Sequence, residues 1–188
     1  TAGVLHWCSG SSHIWNGETE LQGLRGQRVY IMVADSGDVP RVCDVLTGRL
    51  WLAGYGRIVL SKSGAKLPRH LFDEAMSQPA RLDFCGGAVC KQPLEQRRGV
   101  PSILSDGEFL DTRTAFPDLT SVEAARVESL IQAAKDAAEP EAVAIREVWM
   151  AARRDALTTQ LVTAGVSVAD AHERASQAAR SAVGGVLL

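Results

Sequence analysis

The chain has 188 residues, 46% of them hydrophobic and 22% charged, with a formal net charge of −2. That is enough apolar mass for one ordinary domain, or a compact domain with an appendage, and it excludes a disordered chain. Near-neutral charge gives no general pull toward nucleic acid, so any such contact must come from a local patch. No run approaches the roughly 18 to 20 apolar residues of a membrane helix, and no basic-then-apolar leader opens the sequence. We therefore expect a cytoplasmic protein with no membrane partner. Cys8, Cys43, Cys85 and Cys90 lack paired close spacings and are expected to be reduced thiols.

In chain order, Thr1 leads without Met or a strand-start signal into Val4 and Leu5, which reads as a piece cut from a longer protein. A Ser9-Gly10-Ser11-Ser12-His13 turn follows. Arg28 to Ala34 is β-branched and aromatic, sits between Gly26 and Asp35-Ser36-Gly37, and predicts a buried strand. Pro40 fits a first helical turn, and Val42, Val45, Leu46, Leu50 and Leu52 carry a helical stripe to a stop at Gly54-Tyr55-Gly56. Arg57 to Ser61 predicts a short strand, Ser63-Gly64 a turn, and Lys66 to Phe72 a second extended segment. Val100 to Leu119, with Pro101, Asp106-Gly107 and Pro117, reads as a connector.

Beyond it, Thr120 and Glu123 form a capping box, Pro140 opens a long helix, and Ser167 with Asp170 caps a third after a stop at Gly165. The stripe Val143, Ile145, Val148, Trp149 and Ala152 requires a packing partner. These signals predict an α+β fold: a mixed or antiparallel sheet with packed helices over residues 1–99, a connector over 100–119, and a C-terminal three-helix appendage over 120–188.

Three groups carry chemistry. Ser11, Ser12 and His13 offer hydroxyls and an imidazole on a glycine-loosened turn, which is either a phosphate grip or an ordinary serine-rich loop. Arg57, Lys62, Lys66 and Arg69 form a basic hairpin with no acid between Asp44 and Asp73; it either steers a triphosphate or a strand backbone or is a solvated surface. Asp73 follows an apolar pair at the end of an extended segment, a position that suits a metal ligand, a helix cap or a plain surface acid. A zinc set from Cys85 and Cys90 with His6, Cys8 or His13 lacks a C-x-x-C pair, and apolar neighbours suggest core thiols.

Taken together, the order Ser11-Ser12-His13, Phe72-Asp73 and Arg81 resembles the archaeo-eukaryotic primase superfamily, in particular the primase-polymerases of phages, plasmids and integrated elements. The resemblance extends through Arg28-Val29-Tyr30, Arg49-Leu50-Trp51-Leu52-Ala53-Gly54, Ser61-Lys62-Ser63-Gly64 and Arg81-Leu82-Asp83-Phe84, and covers residues 9–98. It implies that Ser11 and His13, with Ser12, contact the phosphates of an incoming nucleoside triphosphate. It implies further that Asp73 supplies a carboxylate to catalytic Mg2+ or Mn2+, and that Lys62, Arg69 and Arg81 contact phosphate or template. The reaction implied is attack of a primer 3′-hydroxyl, or of a first nucleotide, on the α-phosphate of the incoming nucleotide. A single-stranded DNA template and a replicative helicase are the implied partners. The family's acidic pair before the Ser-x-His motif is absent here, so it is expected upstream of Thr1 and this chain alone is expected to be inactive. The alternative is a non-catalytic nucleic-acid-binding or scaffold module of a replication protein.

Overall fold

The computed structural model describes residues 2–73, 75, 78, 80, 83 and 85–184. The fold is α+β, with antiparallel sheets and packed helices. The chain forms two compact units, one of residues 1–46 with 73–118 and the other of 47–72 with 119–188. This differs from the linear division read above: the segment 47–72 packs with the C-terminal helices. The connector of residues 100–119 belongs to the first unit.

The first unit holds two three-stranded antiparallel sheets. In one, β1 (Val4–Cys8) lies between β4 (Gln27–Ile31) and β8 (Ser102–Ser105). In the other, β2 (Ile14–Asn16) lies between β3 (Thr19–Gln22) and β7 (Leu94–Gln96). The strand expected over residues 28–34 therefore forms but ends at Ile31, and it is not buried: Val29 is 56% and Ile31 44% exposed. The residues read as a connector contribute the edge strand β8 and a short helix α2 (Thr112–Ala115), whose Thr112 is buried.

Asp35 opens the next element, its Oδ1 accepting from the Gly37 amide at 2.9 Å. One 3₁₀ turn then leads into α1 (Val39–Leu52), with Pro40 in its first turn and Val42, Val45 and Trp51 buried. At the start of α1 the Asp38 carboxylate is 1% exposed and takes both Arg41 Nε and Nη2 at 2.7 Å. It also accepts from the Thr112 hydroxyl at 2.5 Å and lies 3.1 Å from the Arg113 guanidinium. Hydrogen bonds from Arg41 and Thr112 hold its carboxyl below the ordinary carboxylate range despite burial. A bidentate guanidinium is what makes this burial tolerable.

In the second unit, β5 (Arg57–Leu60) and β6 (Lys66–Arg69) form the expected hairpin. The expected extended segment stops at Arg69, and His70 folds inward, its Nδ1 accepting from the Phe72 amide and its ring stacking on Phe72 at 4.5 Å. Strand β5 packs against α3 (Ser121–Ala137), and Gly48 of α1 sits so close to Leu119 and Val127 that a Cβ there would meet Leu119 Cδ1 at 2.4 Å. The capping box forms as the spacing predicts: the Glu123 amide donates to Thr120 Oγ1 at 3.2 Å, and Glu123 Oε2 accepts from the Thr120 amide at 2.8 Å.

Helix α4 (Glu139–Thr163) starts with Pro140 in its first turn, and α5 (Val168–Gly184) follows Gly165 at φ +88° and is capped by Ser167. Ala171, Ala175 and Ala179, four residues apart on one face of α5, are buried, and α5 packs on α4. The stripe expected to be covered is not: Val148 is 72% exposed, and Ile145, Val148, Trp149 and Ala152 line an open groove of about 510 Å³ beside Lys62. Among the described residues, no helix is long and apolar enough to cross a membrane.

Candidate functional site

The Ser9 to His13 turn is held from inside. Ser12 is 0% exposed; its hydroxyl accepts from the Arg25 amide at 3.0 Å, lies 2.9 Å from Ser9 Oγ and donates to the Gly26 carbonyl at 3.4 Å. A hydroxyl so engaged fixes the turn, and the phosphate contact that the resemblance implied for Ser12 has no free group to serve it. Gln96 of β7 secures the outer side, its Nε2 donating to the Gly10 and Ser12 carbonyls at 2.9 and 2.8 Å. Its Oε1 accepts from the Ala88 amide at 2.8 Å. Gly10 passes so near Gly86 that a Cβ would meet its carbonyl oxygen at 2.6 Å.

This scaffold leaves Ser11 exposed and sets His13 at φ +57°, the one positive φ outside glycine among the described residues. A left-handed histidine stores strain that the surrounding hydrogen bonds must offset, and such residues collect at functional positions. The His13 Nδ1 lies 2.8 Å from Glu20 Oε1, so the ring is oriented and Nε2 makes no hydrogen bond among the described residues. Glu20 escaped the sequence reading. It stands on β3, across a hairpin whose Asn16-Gly17 signal, with Gly17 at φ +56°, was available but unused.

Two stacked arginines border the turn. The Arg98 guanidinium lies 3.9 Å over the Trp7 ring and donates to the Cys85 carbonyl at 2.9 Å. Arg97 lies 4.7 Å over Trp15, donates to the Gly17 carbonyl and pairs with Glu95. Neither pairing of arginine with tryptophan was anticipated, because the partners lie some eighty to ninety positions apart in sequence.

Asp73 is exposed, and its Oδ1 accepts from the Ala75 amide at 3.1 Å, so it closes a local turn. No hydrogen bond or ion pair among the described residues joins it to Ser11 or His13. Arg81 lies outside the described residues. Asp83 is taken up by Arg28 Nε at 2.8 Å and by the Tyr30 hydroxyl. The Tyr30 hydrogen bond is the main force drawing the Asp83 carboxyl below its ordinary value, while burial and then Asp83 push the Tyr30 phenol well up.

The basic hairpin divides. Lys66 turns toward Glu139, which it pairs with, and Arg146 lies 3.8 Å from the same carboxylate. Lys62 and Arg69 stay exposed, in the second unit, whereas Ser11, His13 and Asp73 belong to the first.

A two-metal nucleotidyl-transfer centre needs several carboxylates. Among the described residues no group of three or more His, Cys, Asp or Glu is placed to hold an ion. Asp73 is a single exposed carboxylate, so these residues do not by themselves fit the implied metals, and no catalytic step is derived through them. No family model, curated protein or solved structure matches the chain.

Proposed function

We propose that this chain is part of a DNA primase-polymerase of a mobile replicating element, acting in the cytoplasm on a single-stranded DNA template, with a replicative helicase as companion. The observation that carries the reading is the Ser11-x-His13 turn, preorganised by Ser12 and Gln96, followed in sequence by Asp73 and Arg81. In this reading the Ser11 hydroxyl and His13 Nε2 donate to the phosphate oxygens of an incoming nucleotide, and Glu20 keeps the imidazole aimed. Held donors on a rigid turn lose little freedom on binding, which is the value of building the grip on a pinned loop. Asp73 contributes one carboxylate to divalent ions whose remaining ligands the described residues do not supply.

That single carboxylate favours a second reading, a non-catalytic nucleic-acid-binding or scaffold module of a replication protein. Primer synthesis and extension by the full gene product on single-stranded DNA, with magnesium or manganese, separates the two. Synthesis by the wild type that Asp73→Ala abolishes without changing the melting temperature supports the polymerase. A folded wild type that binds DNA and synthesises nothing supports the module.

A further inference from the structure

The hairpin β5–β6 places Arg57 directly across from Arg69. Residues opposite each other in an antiparallel pair project from the same face with Cβ atoms about 5 Å apart, and like charges there repel. A folded chain ordinarily answers such a pair with an acid. None does so here: among the described residues Arg57 makes no hydrogen bond or ion pair, and Arg69 donates only to the Pro68 carbonyl of its own strand. Both are exposed, while Lys66, the hairpin's inward lysine, has its carboxylate partner in Glu139.

An aromatic group stands at the same end. Gly56 lies against the Trp51 indole, where a Cβ would meet ring atoms at 2.1 to 2.5 Å, and Gly54 turns at φ +82°. Between these two glycines Tyr55 is left 54% exposed, two residues before Arg57. Val59, next on the face of Arg57, is exposed too, and Lys62 stands exposed in the turn that follows β5. Unanswered cations along a ridge with an aromatic at one end are the elements of a single-strand contact: guanidinium groups take backbone phosphates and the ring stacks a base.

We infer that the Arg57–Arg69 pair is a phosphate clamp on a single-stranded nucleic acid, with Tyr55 as its stacking platform and Lys62 as a further backbone contact. The inference rests on the nucleic-acid reading above and adds a strand-binding face on the second unit, carried by Arg57 and Tyr55. A phosphate between the two guanidiniums converts their repulsion into a shared attraction, so the pair costs the free protein stability that binding returns.

The test is fluorescence anisotropy of a labelled 20-nucleotide oligothymidylate on the whole chain across a salt series. Arg57→Gln with Arg69→Gln is expected to weaken binding at least tenfold and to lower the slope of log affinity against log salt by about 1.4, two single-strand phosphate contacts. Tyr55→Ala is expected to weaken binding about tenfold with the salt slope unchanged. Arg180→Gln, an exposed arginine on α5, serves as control and is expected to bind as wild type. The single change Arg69→Gln is expected to keep or raise the melting temperature, which separates lost contact from lost fold.

Wild-type affinity and slope in the double variant would overturn the clamp, as would absence of oligonucleotide binding by the wild type. Loss of free deoxynucleoside triphosphate binding, with oligonucleotide binding retained, would overturn it in favour of a nucleotide grip. Arginine-dependent DNA binding by a gene product that synthesises nothing sustains the clamp and sinks only the polymerase.

Discussion

The Glu20 carboxylate lies 2.8 Å from Nδ1 of His13, and the two residues are brought together by a hairpin with the two-residue loop Gly17-Glu18. An imidazole bound at one nitrogen has its other nitrogen aimed, so under the proposed nucleotide grip Glu20 would act on the ligand through His13. Glu20→Ala is expected to raise the nucleotide concentration needed for half-maximal binding severalfold, short of the loss in His13→Ala. Glu20→Gln, whose amide oxygen still accepts from Nδ1–H, is expected to restore most of it. Calorimetric titration of nucleotide into each variant checks this; equal loss in Ala and Gln would show that charge rather than aim is what Glu20 supplies.

Ser11 and Ser12 are neighbours in opposite surroundings, the first exposed and the second fully buried. Removing the Ser12 hydroxyl leaves the part-buried Arg25 amide without its acceptor and takes from Ser9 Oγ its 2.9 Å partner. A fully buried donor left unsatisfied costs about 1–3 kcal/mol, which is the upper bound for this part-buried one. Ser12→Ala is therefore expected to lower the melting temperature by several degrees. Ser11→Ala, at an exposed position, is expected to leave melting unchanged and to weaken nucleotide binding alone. The reverse pattern in a thermal melt would exchange their roles.

What the sequence made legible was chiefly local. The Thr120–Glu123 box, Pro140 and the Gly165 stop involve groups within a few positions of each other, so residue type and spacing decide the outcome. Strand pairing is not of that kind. Strand β1 was passed over because no turn precedes Val4, yet it is the centre of a sheet, since β4 and β8 supply its two edges. Strand β8 hid in a polar stretch because Ile103 and Leu104 stay exposed on an edge. The stripe on α4 was read as a packing face because it is apolar, but the small face of α5, with Ala171, Ala175 and Ala179, is what packs on that helix. At the site, the Ser-x-His turn was visible, whereas Glu20, Gln96 and the tryptophan–arginine stacks depend on contacts across the sheets.

Asp38 gives a pH prediction whose sign follows from its partners. Its carboxyl is held below the ordinary value in the folded chain, first by Arg41 and then by Thr112. A depressed folded-state value means that the stabilisation is fully present above the unfolded carboxyl value, about 3.9, and is lost as pH falls toward the folded one. Asp38→Asn is therefore expected to melt well below the wild type at neutral pH. The gap should close progressively below about pH 4, and a constant gap from pH 7 to pH 3 would show that the charge on Asp38 contributes nothing.

Lys66 and Gly64 test how the hairpin is seated. Lys66 pairs with Glu139, whose carboxyl it draws below the ordinary value, so Lys66→Met should alter melting and leave oligonucleotide affinity within about twofold. Gly64 has the sterner requirement. It turns at φ +76°, which a side chain disfavours by roughly 1–2 kcal/mol, and its missing Cβ would stand 2.4 Å from the Ala142 carbonyl oxygen of α4. Strain and contact act together there, because relieving one by shifting the turn moves the hairpin off Ala142, which is fully buried. Gly64→Ala is expected to lower the melting temperature more than Gly17→Ala, where φ is also positive but nothing lies within 4 Å. Equal losses in the two variants would mean that the backbone angle alone governs both turns and that the hairpin can leave α4 without penalty.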